Sequence, residues 1–375
     1  MSKQGQLFTP DTMKQVRKQF CYVDHDPVYT GRRLYFDNAG GAYRLKKTVE
    51  AFSTHDCMPD CPERAHKTSI CMKQVITQGE QDIRTILGAH EGGSLFMMLS
   101  ASQVSFGVTG VIAENVVGSN IVTTALEHPS VYDAVSYYCQ KTGKELRTAA
   151  TNPVTGGVDV AEIVKLIDQN TCMLSVIYAS NITGAVQDIK AIIAAARTVK
   201  PDLYIYVDAV QHMPHGTINV DELGLDGVVF SPYKLFGVRG SGIGYVSDRV
   251  AALPHHRLLG KDQTNWKLGT SVPAHYAALS QIVDYICWLG GCCCGQDSRD
   301  ALYAAGMGAI KSHEQVLMER MLNGSGDIAG LRQIDGVQVL FDHEDWPSRD
   351  FILAADFPGR DLSQVVAEYE RHGII

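Results

Sequence analysis

The sequence predicts an α/β fold in which helices cover a mainly parallel sheet. Between residue 94 and about residue 250, short apolar runs alternate with segments of helical spacing, a pattern typical of parallel sheets with helical crossovers. Two of the runs, 203–207 and 227–230, lead into a polar side chain, Asp208 directly and Lys234 after a short turn. In folds of this class, ligands bind at the carboxyl ends of the strands.

The remaining elements follow from periodicity and from turn residues, taken in chain order. Helical spacing is found at 12–20, 45–52, 72–87, 158–168, 189–200, 274–289, 304–321 and 362–371. Strand-like runs are found at 94–99, 120–124, 172–178, 203–207, 227–230, 337–341 and 351–356, and a further short strand is expected from residue 33 into a small-residue turn.

A chain of 375 residues is too long for one simple core, so we expect two structural units. We divide it into an N-terminal arm (1–34), a large ligand-binding domain (35–255), a connecting segment with one helix (256–296) and a smaller α+β C-terminal domain (297–375). The strands that carry Asp208 and Lys234 fall in the large domain.

Composition limits the classes of function. The net charge of −8 disfavours a nucleic-acid or anionic-membrane partner. The sequence shows neither a secretory signal nor an apolar run long enough for a membrane span, so we expect a cytosolic protein with reduced cysteines. Cys57, Cys61 and the triplet 292–294 do not form paired C-x-x-C motifs, and we therefore predict no metal site.

An acid and a lysine at the ends of two apolar runs suit one cofactor, pyridoxal 5'-phosphate. Its aldehyde forms a Schiff base with a lysine amine, and a carboxylate keeps its ring nitrogen protonated. Asp208 and Lys234 are the candidates for these roles. Gln211 follows the acid by about one turn and Ser231 precedes the lysine by three residues. The glycine-rich stretch after Lys234, residues 237–244, predicts a turn that approaches a ligand closely.

The stretch 204–246 resembles the cofactor site of the class V aminotransferase group of fold-type I pyridoxal-phosphate enzymes, and more closely its cysteine desulfurase-like branch. That group combines an acid-x-x-Gln turn with a later Ser-x-x-Lys and a glycine-rich turn, as Asp208, Gln211, Ser231 and Lys234 do here. The resemblance covers about residues 30–375. It implies an aspartate aminotransferase-like large domain with a seven-stranded type of sheet.

The resemblance also implies roles for residues outside that stretch. Ser102 and Gln103, in the turn after the strand at 94–99, would contact the cofactor phosphate. His128 would lie over the pyridine ring and join Asp208 and Lys234 as a catalytic residue. Asn181 would reach the ring hydroxyl or the substrate carboxylate.

Two further segments are implied by the same likeness. Asn38, Ala39 and Gly40 would contribute backbone to the substrate pocket, although a plain strand-to-helix turn explains them equally well. Gly269 and Thr270 would cross to the cofactor phosphate of a second subunit, which implies a homodimer. An ordinary helix N-cap at Thr270 is compatible with that role.

The sequence departs from the family pattern in two places. Relatives of this type continue well beyond a final His-Gly-Ile segment, so the resemblance implies either a truncated chain or a protein that has lost part of its small domain. In both cases the arginine that binds the substrate carboxylate and the cysteine that takes the sulfur are not assigned. Tyr233 stands where desulfurases usually have a histidine. Arg239 and Arg257 are alternative carboxylate ligands, and loop arginines of this kind are usually solvated. The cysteines at 292–294 are interpreted as packing or loop residues.

The function that we expect is that of a pyridoxal-phosphate enzyme acting on an amino acid through Lys234, with cysteine desulfurase-like C–S cleavage. The freed lysine would act as general base at Cα, since burial beside a cationic ring lowers its pKa. A class V aminotransferase or an epimerase would use the same residues. A catalytically inactive relative that retains the fold is the third alternative. The sequence does not define the substrate side chain or the pathway.

Overall fold

The protein is described here by a computed structural model that covers residues 5–28, 33–295 and 297–375. The strands in these residues are β1 (Ser94–Met98), β2 (Asn120–Thr124), β3 (Glu145–Ala149), β4 (Thr171–Ile177), β5 (Tyr204–Asp208), β6 (Gly227–Phe230), β7 (Gly242–Val246), β8 (Gln338–Val339) and β9 (Ala355–Asp356). The first seven form one sheet, and β8 and β9 form a separate antiparallel pair.

The large sheet has the strand order β1-β7-β6-β5-β4-β2-β3. Neighbouring strands from β3 to β6 pair in parallel, whereas β7 runs antiparallel to both β6 and β1. β7 is thus the one reversed strand of this sheet within the described residues. The mainly parallel, seven-stranded α/β sheet predicted from the sequence is confirmed.

Helices flank the sheet and connect its strands. They are α1 (Pro10–Gln19), α2 (Lys46–Asp56), α3 (Lys67–Leu87), α4 (Ala101–Asn115), α5 (Pro129–Thr142), α6 (Val160–Val164), α7 (Ile189–Val199), α8 (Val220–Leu223), α9 (Asp248–Ala251), α10 (Pro273–Gly291), α11 (Arg299–Asn323) and α12 (Leu362–Arg371). None of the helices in the described residues is both long and apolar enough to span a membrane.

The centre of the sheet is buried on both faces. All seven residues of β4 are buried, which explains why apolar side chains occupy both faces of this strand instead of alternating with charged ones. α7 covers one face of the sheet and buries Ile189, Ile192, Ile193 and Ala196. Asp188 caps this helix, since its side chain accepts a hydrogen bond of 2.9 Å from the N–H of Ala191.

Several elements differ from the sequence prediction, beginning with one strand and one helix. β3 was not predicted, because it is a partly exposed strand at the sheet edge with the polar sequence Glu-Leu-Arg-Thr-Ala. The helix predicted at 158–168 is limited to α6, because the chain continues in tighter turns, with Leu166 N–H bonded to the carbonyl of Ile163 and Ile167 N–H to that of Val164. Ile163 and Ile167 are both buried, so the apolar spacing persists where the α-helix has ended.

The glycine-rich stretch is a turn only in its first part. Gly240 has a left-handed φ of 94°, whereas Gly242 and Gly244 lie inside β7 and permit close packing. A Cβ at Gly242 would overlap the backbone of Ser100 and Ala101, and a Cβ at Gly244 would overlap the ring of Phe96. β7 therefore lies directly against the start of α4.

The strand expected from residue 33 is reduced to one parallel bridge between Leu34 and Ile374. The N–H of Leu34 donates to the carbonyl of Gly373, and the N–H of Ile375 donates to that of Leu34. The chain's last described residues thus pair with the segment that precedes residue 37. The strands expected at 337–341 and 351–356 are shortened to the two-residue strands β8 and β9.

Candidate active site

Asp208 and Lys234 lie at the same edge of the sheet. Asp208 is the last residue of β5, and β6 pairs in parallel beside it, with Asp208 opposite Val229. After β6 the chain turns through Ser231, whose carbonyl accepts a hydrogen bond of 3.1 Å from the N–H of Lys234. The carboxyl ends of two neighbouring parallel strands therefore present an acid and an amine to the same space.

This space is a cavity of about 320 Å³. Seven of the residues proposed from the sequence line it, namely Ser102, His128, Asn181, Asp208, Gln211, Ser231 and Lys234. The wall is completed by Leu99, Ser100, Ala101, Ser130, Ile177, Val210, Tyr233, Arg239, Gly240 and Ser241. The fold thus brings together side chains that are far apart in the sequence.

The amine of Lys234 is fixed by two acceptors. Its Nζ donates to the carbonyl of Ala39 at 2.6 Å and to Oε1 of Gln211 at 3.0 Å. The residue is only 7% exposed. Burial lowers the pKa of Lys234, the charges of Asp208 and Asp37 oppose this effect, and Arg239 adds to it. The neutral amine needed for a nucleophile or a base is therefore favoured.

Asp208 is 4% exposed, and burial raises the pKa of its carboxyl group. Three groups counteract that rise, namely the N–H of Val210, which donates to Oδ1 at 2.9 Å, and the charges of His128 and Lys234. A buried acid with cationic neighbours is suited to hold the proton of a ring nitrogen.

The N-terminus of α4 forms a second wall of the cavity. Ser100 is the N-cap, and its Oγ accepts a hydrogen bond of 3.2 Å from the N–H of Gln103. Ser100, Ala101 and Ser102 all face the cavity, where first-turn N–H groups and the helix dipole favour an anion. The side chain of Gln103 is directed elsewhere, since its Oε1 accepts from the N–H of Leu99 at 3.1 Å.

His128 combines a structural and a potential catalytic position. It is the N-cap of α5, and its Nδ1 accepts from the N–H of Ser130 at 3.2 Å and lies 2.7 Å from the Oγ of Ser130. These contacts to Nδ1 orient the ring, which lines the cavity. A second histidine, His66, caps α3 through its contacts with Ser69.

Glu127, next to His128, was missed by the sequence analysis. Its Oε1 accepts from the N–H of Ile177 at 2.7 Å and from Oγ1 of Thr124 at 2.8 Å, whereas its Oε2 is buried without a partner among the described residues. Burial raises the pKa of Glu127 to about 8, and the charge of Asp208 contributes to that rise. A glutamate before a strand-terminal histidine is the only local sign of this acid.

Residues 38–40 approach the site through their backbone. Besides the contact between Ala39 and Lys234, the carbonyl of Gly40 accepts from Nη2 of Arg239 at 3.4 Å. Asn38 forms backbone hydrogen bonds within the turn itself, with Phe36 and Gly41. The segment therefore lies over the lysine side of the cavity.

Gly269 and Thr270 are exposed and do not line the cavity of their own chain. The segment that precedes them is anchored by Trp266, whose ring lies 5.0 Å from that of Phe96 and 4.7 Å from that of His255. Their predicted contact with a second subunit stays a prediction. No cluster of metal-ligating side chains is found in the described part of the chain.

The donor set of the cavity fits pyridoxal phosphate. The α4 N-terminus with the hydroxyl groups of Ser102 and Ser231 suits a phosphate, Asp208 suits a protonated ring nitrogen, and the Lys234 amine suits an aldehyde. The absence of a side chain at Gly242 lets β7 lie against the phosphate-facing turn. A single cavity therefore offers a matching group for the phosphate, the ring nitrogen and the aldehyde of this cofactor.

Sequence comparisons place the chain among known proteins. The cysteine desulfurase IscS of Buchnera aphidicola subsp. Schizaphis graminum is 28% identical over 251 residues, which are 64% of this chain and 60% of that protein. A probable cysteine desulfurase of Halobacterium salinarum is 25% identical over 338 residues, which are 83% of this chain and 75% of that protein. The chain thus spans less than two thirds of the length of the Buchnera protein.

Solved structures show the same fold. The apo structure of the cysteine desulfurase from Thermococcus onnurineus NA1 has a TM-score of 0.79 at 20% identity. The superposition covers 99% of this chain and 88% of the Thermococcus chain. The cysteine desulfurase CsdA from Escherichia coli has a TM-score of 0.76 at 20% identity. The superposition covers 98% of this chain and 88% of the CsdA chain. The predicted aspartate aminotransferase-like fold is confirmed.

A family model gives the assignment of the chain. The model described as aminotransferase class V matches residues 34–345, which include every strand from β1 to β7 and all residues that line the cavity. The match extends over most of the 375 residues. The chain therefore belongs to the class V aminotransferase family of pyridoxal-phosphate-dependent enzymes.

Proposed function

We propose that the protein binds pyridoxal 5'-phosphate at Lys234 and acts on an amino acid by cysteine desulfurase-like C–S cleavage. The observation that carries this proposal is the position of the Lys234 amine and the Asp208 carboxyl group in one buried cavity at the ends of β5 and β6. The relatives named as cysteine desulfurases support the choice of reaction.

Each part of the cofactor has a proposed partner. Asp208 would hold the proton of the ring nitrogen, His128 would lie over the ring, and Asn181 with Gln211 would bind polar groups at its edge. The phosphate would be bound by the N-terminus of α4 and by Ser102, Gln103 and Ser231. When bound, pyridoxal phosphate supplies an electron sink for negative charge at the substrate Cα.

Lys234 has two proposed tasks in the reaction. Its amine binds the cofactor covalently between turnovers, and when a substrate amine replaces it, the free amine takes the Cα proton. Ala39 and Gln211 accept hydrogen bonds from Nζ and keep it on the substrate side of the cavity. Burial of this amine lowers its pKa and so increases the neutral fraction that can accept a proton.

The fate of the substrate after proton removal distinguishes three reactions. Loss of a sulfur substituent from the β-carbon is the desulfurase outcome that we propose. Transamination is the second candidate, because the matching family model carries the aminotransferase description. An epimerase would return the proton to Cα. A catalytically inactive relative would bind the cofactor and turn over no amino acid.

The assembly and the domain division are part of the same proposal. Gly269 and Thr270 are exposed and free to reach a second copy of the chain, and we place them at the cofactor phosphate of that copy in a homodimer. The arm (1–34), large domain (35–255), connecting segment (256–296) and small domain (297–375) follow the sequence-based division. A cytoplasmic location agrees with the ten cysteines, which are all free in the structure.

The experiment is a product assay on the cofactor-loaded protein. With cysteine and a thiol reductant we expect sulfide together with an equal amount of alanine or pyruvate. Lys234→Ala should form neither product, whereas Lys190→Ala, which changes an exposed lysine paired with Glu222, should retain full activity. A keto acid that forms only when an amino acceptor is added would instead identify an aminotransferase.

A further inference from the structure

We propose that Arg239 binds the α-carboxylate of the substrate, an inference that rests on the proposed function. Arg239 lies at the rim of the cavity on the same side as Lys234. It follows the lysine by five residues, at the point where the chain passes through Gly240 into β7. Sequence reasoning names Arg239, with Arg257, as an alternative carboxylate ligand, although loop arginines of this kind are usually solvated.

The guanidinium group of Arg239 is exposed and forms no ion pair with any described residue. Its contacts are the ring of Tyr233, whose centroid lies 4.5 Å from Cζ, and the long hydrogen bond of 3.4 Å to the carbonyl of Gly40. The aromatic face holds the planar group in place without neutralising its charge. The donor fork therefore remains available for an anion.

A second cation lies close to Arg239, although it does not line the cavity. Arg44 lies 5.8 Å from the centroid of the same Tyr233 ring and donates to the carbonyls of Ala42 and Tyr233. Burial lowers the pKa of Arg44, and the charge of Arg239 lowers it further. Asp37, whose charge raises the pKa of Lys234, forms no ion pair with Arg44 or Arg239 in the described structure. A bound carboxylate would relieve the repulsion between the two guanidinium groups.

The position of Arg239 relative to Lys234 identifies which carboxylate fits. Nζ of Lys234 and Nη2 of Arg239 bind the carbonyls of consecutive residues, Ala39 and Gly40. The amine and the guanidinium group are thus both anchored to the backbone of one short segment, and the charge of Arg239 acts on the pKa of Lys234. In an α-amino acid the amino group and the carboxylate are attached to the same carbon, so a substrate whose nitrogen takes the place of the lysine amine presents its carboxylate to the neighbouring cation.

Arginine is well suited to this task because its planar fork can form two parallel hydrogen bonds with a carboxylate. The residue would also contribute to selectivity, since an amine without a carboxylate would leave the charge of Arg239 uncompensated. Arg239 would therefore act in substrate binding, whereas the lysine, Asp208 and His128 act on the reacting atoms.

The test compares Arg239→Gln and Arg239→Lys with Arg371→Gln, a control at an exposed arginine of α12 that pairs with Glu368 and does not line the cavity. Binding of 3-mercaptopropionate, a carboxylate without an amino group, is measured by calorimetry on the protein loaded with pyridoxal phosphate. Because a charge-assisted hydrogen bond contributes a few kcal/mol at most, we expect roughly 10- to 100-fold weaker binding in Arg239→Gln. The affinity of Arg239→Lys for 3-mercaptopropionate should lie between that of Arg239→Gln and that of the control variant, which should equal the wild type.

Steady-state kinetics supply the second measurement. We expect Arg239→Gln to raise KM for cysteine by a similar factor. Its affinities for pyridoxal phosphate and for pyridoxal, which lacks the phosphate, should equal those of the wild type. Unchanged carboxylate binding in the variant would overturn the proposal. Weaker binding of pyridoxal phosphate with unchanged binding of pyridoxal would also overturn it, because Arg239 would then be a phosphate ligand.

Calorimetry also separates this inference from the proposed function. A wild-type protein that develops no visible absorbance with pyridoxal phosphate would contradict the proposed function. The comparison of carboxylate binding between wild type and Arg239→Gln can still be made by calorimetry on the protein without cofactor, because the measured heat does not depend on a chromophore.

Discussion

The amide oxygen of Gln211 lies 3.0 Å from the amine of Lys234 and accepts one of its hydrogen bonds. Gln211 lies in the turn that follows β5, whereas Lys234 lies in the turn that follows β6. This single contact connects the strand that ends in the acid with the strand that leads to the lysine. It leaves the amine with a neutral partner, which favours deprotonation more than a carboxylate would.

Gln211→Glu should therefore raise the pKa of Lys234. A carboxylate at this distance favours the charged ammonium form, and an opposite charge this close shifts a pKa by roughly one to three units. Because Lys234 must be neutral to take the Cα proton, the rising acid limb of the kcat profile should move to higher pH by a comparable amount. Gln169→Glu, a change at an exposed position, is the control, and an unmoved limb in Gln211→Glu would argue against Lys234 as the base.

Asp208→Asn should reduce kcat by roughly 100-fold or more, since the variant loses the negative charge opposite the cofactor ring. The fold should be retained, because the amide oxygen of asparagine can still accept the hydrogen bond from the N–H of Val210. Turnover and thermal unfolding are measured together. Asp202→Asn removes an exposed acid paired with Lys200, and it should leave both properties unchanged. Full activity in Asp208→Asn would exclude the proposed role.

Glu127 should make the protein less stable as the pH rises. Burial raises its pKa from the ordinary value of 4.5 to about 8 in the folded protein. Between these two values the unfolded chain releases the proton and the folded chain keeps it, so the free energy of unfolding falls as pH rises from about 4.5 to about 8. Above that range the contribution is constant.

Glu127→Gln should abolish this part of the pH dependence, since an amide does not titrate. Relative to wild type, the variant should therefore gain stability between pH 5 and pH 8, as measured by denaturant unfolding at a series of pH values. Glu63→Gln, which changes an exposed acid that pairs with Lys261, is the matched control. If the free energy of unfolding changed with pH in the same way for wild type and Glu127→Gln, the buried carboxyl group would not be the source of the pH dependence.

Gly242→Ala should weaken the binding of pyridoxal phosphate. The added Cβ would overlap the backbone at Ser100 and Ala101, so β7 or the start of α4 must shift, at a cost of roughly 1–3 kcal/mol. Gly308→Ala in α11 is the control, because nothing lies within 4 Å of its Cβ position. It should be neutral or stabilising by up to about 1 kcal/mol. Equal cofactor affinity in Gly242→Ala would place the phosphate elsewhere.

The features that could be predicted from the sequence are those with a local signal. Asp208 and Lys234 each follow a short apolar run, and strand ends at one edge of a parallel sheet converge by topology. The order of helices and strands was predicted in the same way for most of the large sheet. β3 and β7 were not predicted. β3 is an edge strand whose polar sequence shows no alternation, and the glycines of β7 indicate a turn instead of a strand.

The contacts that could not be predicted depend on tertiary proximity. The carbonyl of Ala39 reaches Lys234 across 195 positions of sequence, and nothing local indicates it. The buried carboxyl group of Glu127 accepts a hydrogen bond from the N–H of Ile177, which lies at the end of β4 and is distant in the sequence. The side chain of Gln103 binds the end of its own preceding strand, so its phosphate contact stays a prediction. The chemical type of the site could therefore be inferred from the sequence, whereas the hydrogen-bond partners of its side chains could not.

The most direct test of the account is the absorbance spectrum of the purified protein with pyridoxal phosphate, before and after borohydride, for wild type and Lys234→Ala. We predict a visible band in wild type that borohydride removes, with the cofactor then linked to the peptide that contains Lys234, and no such band in the variant. A wild-type protein that stays colourless, or a variant with the same borohydride-sensitive band, would contradict the assignment of Lys234 as the cofactor-binding lysine.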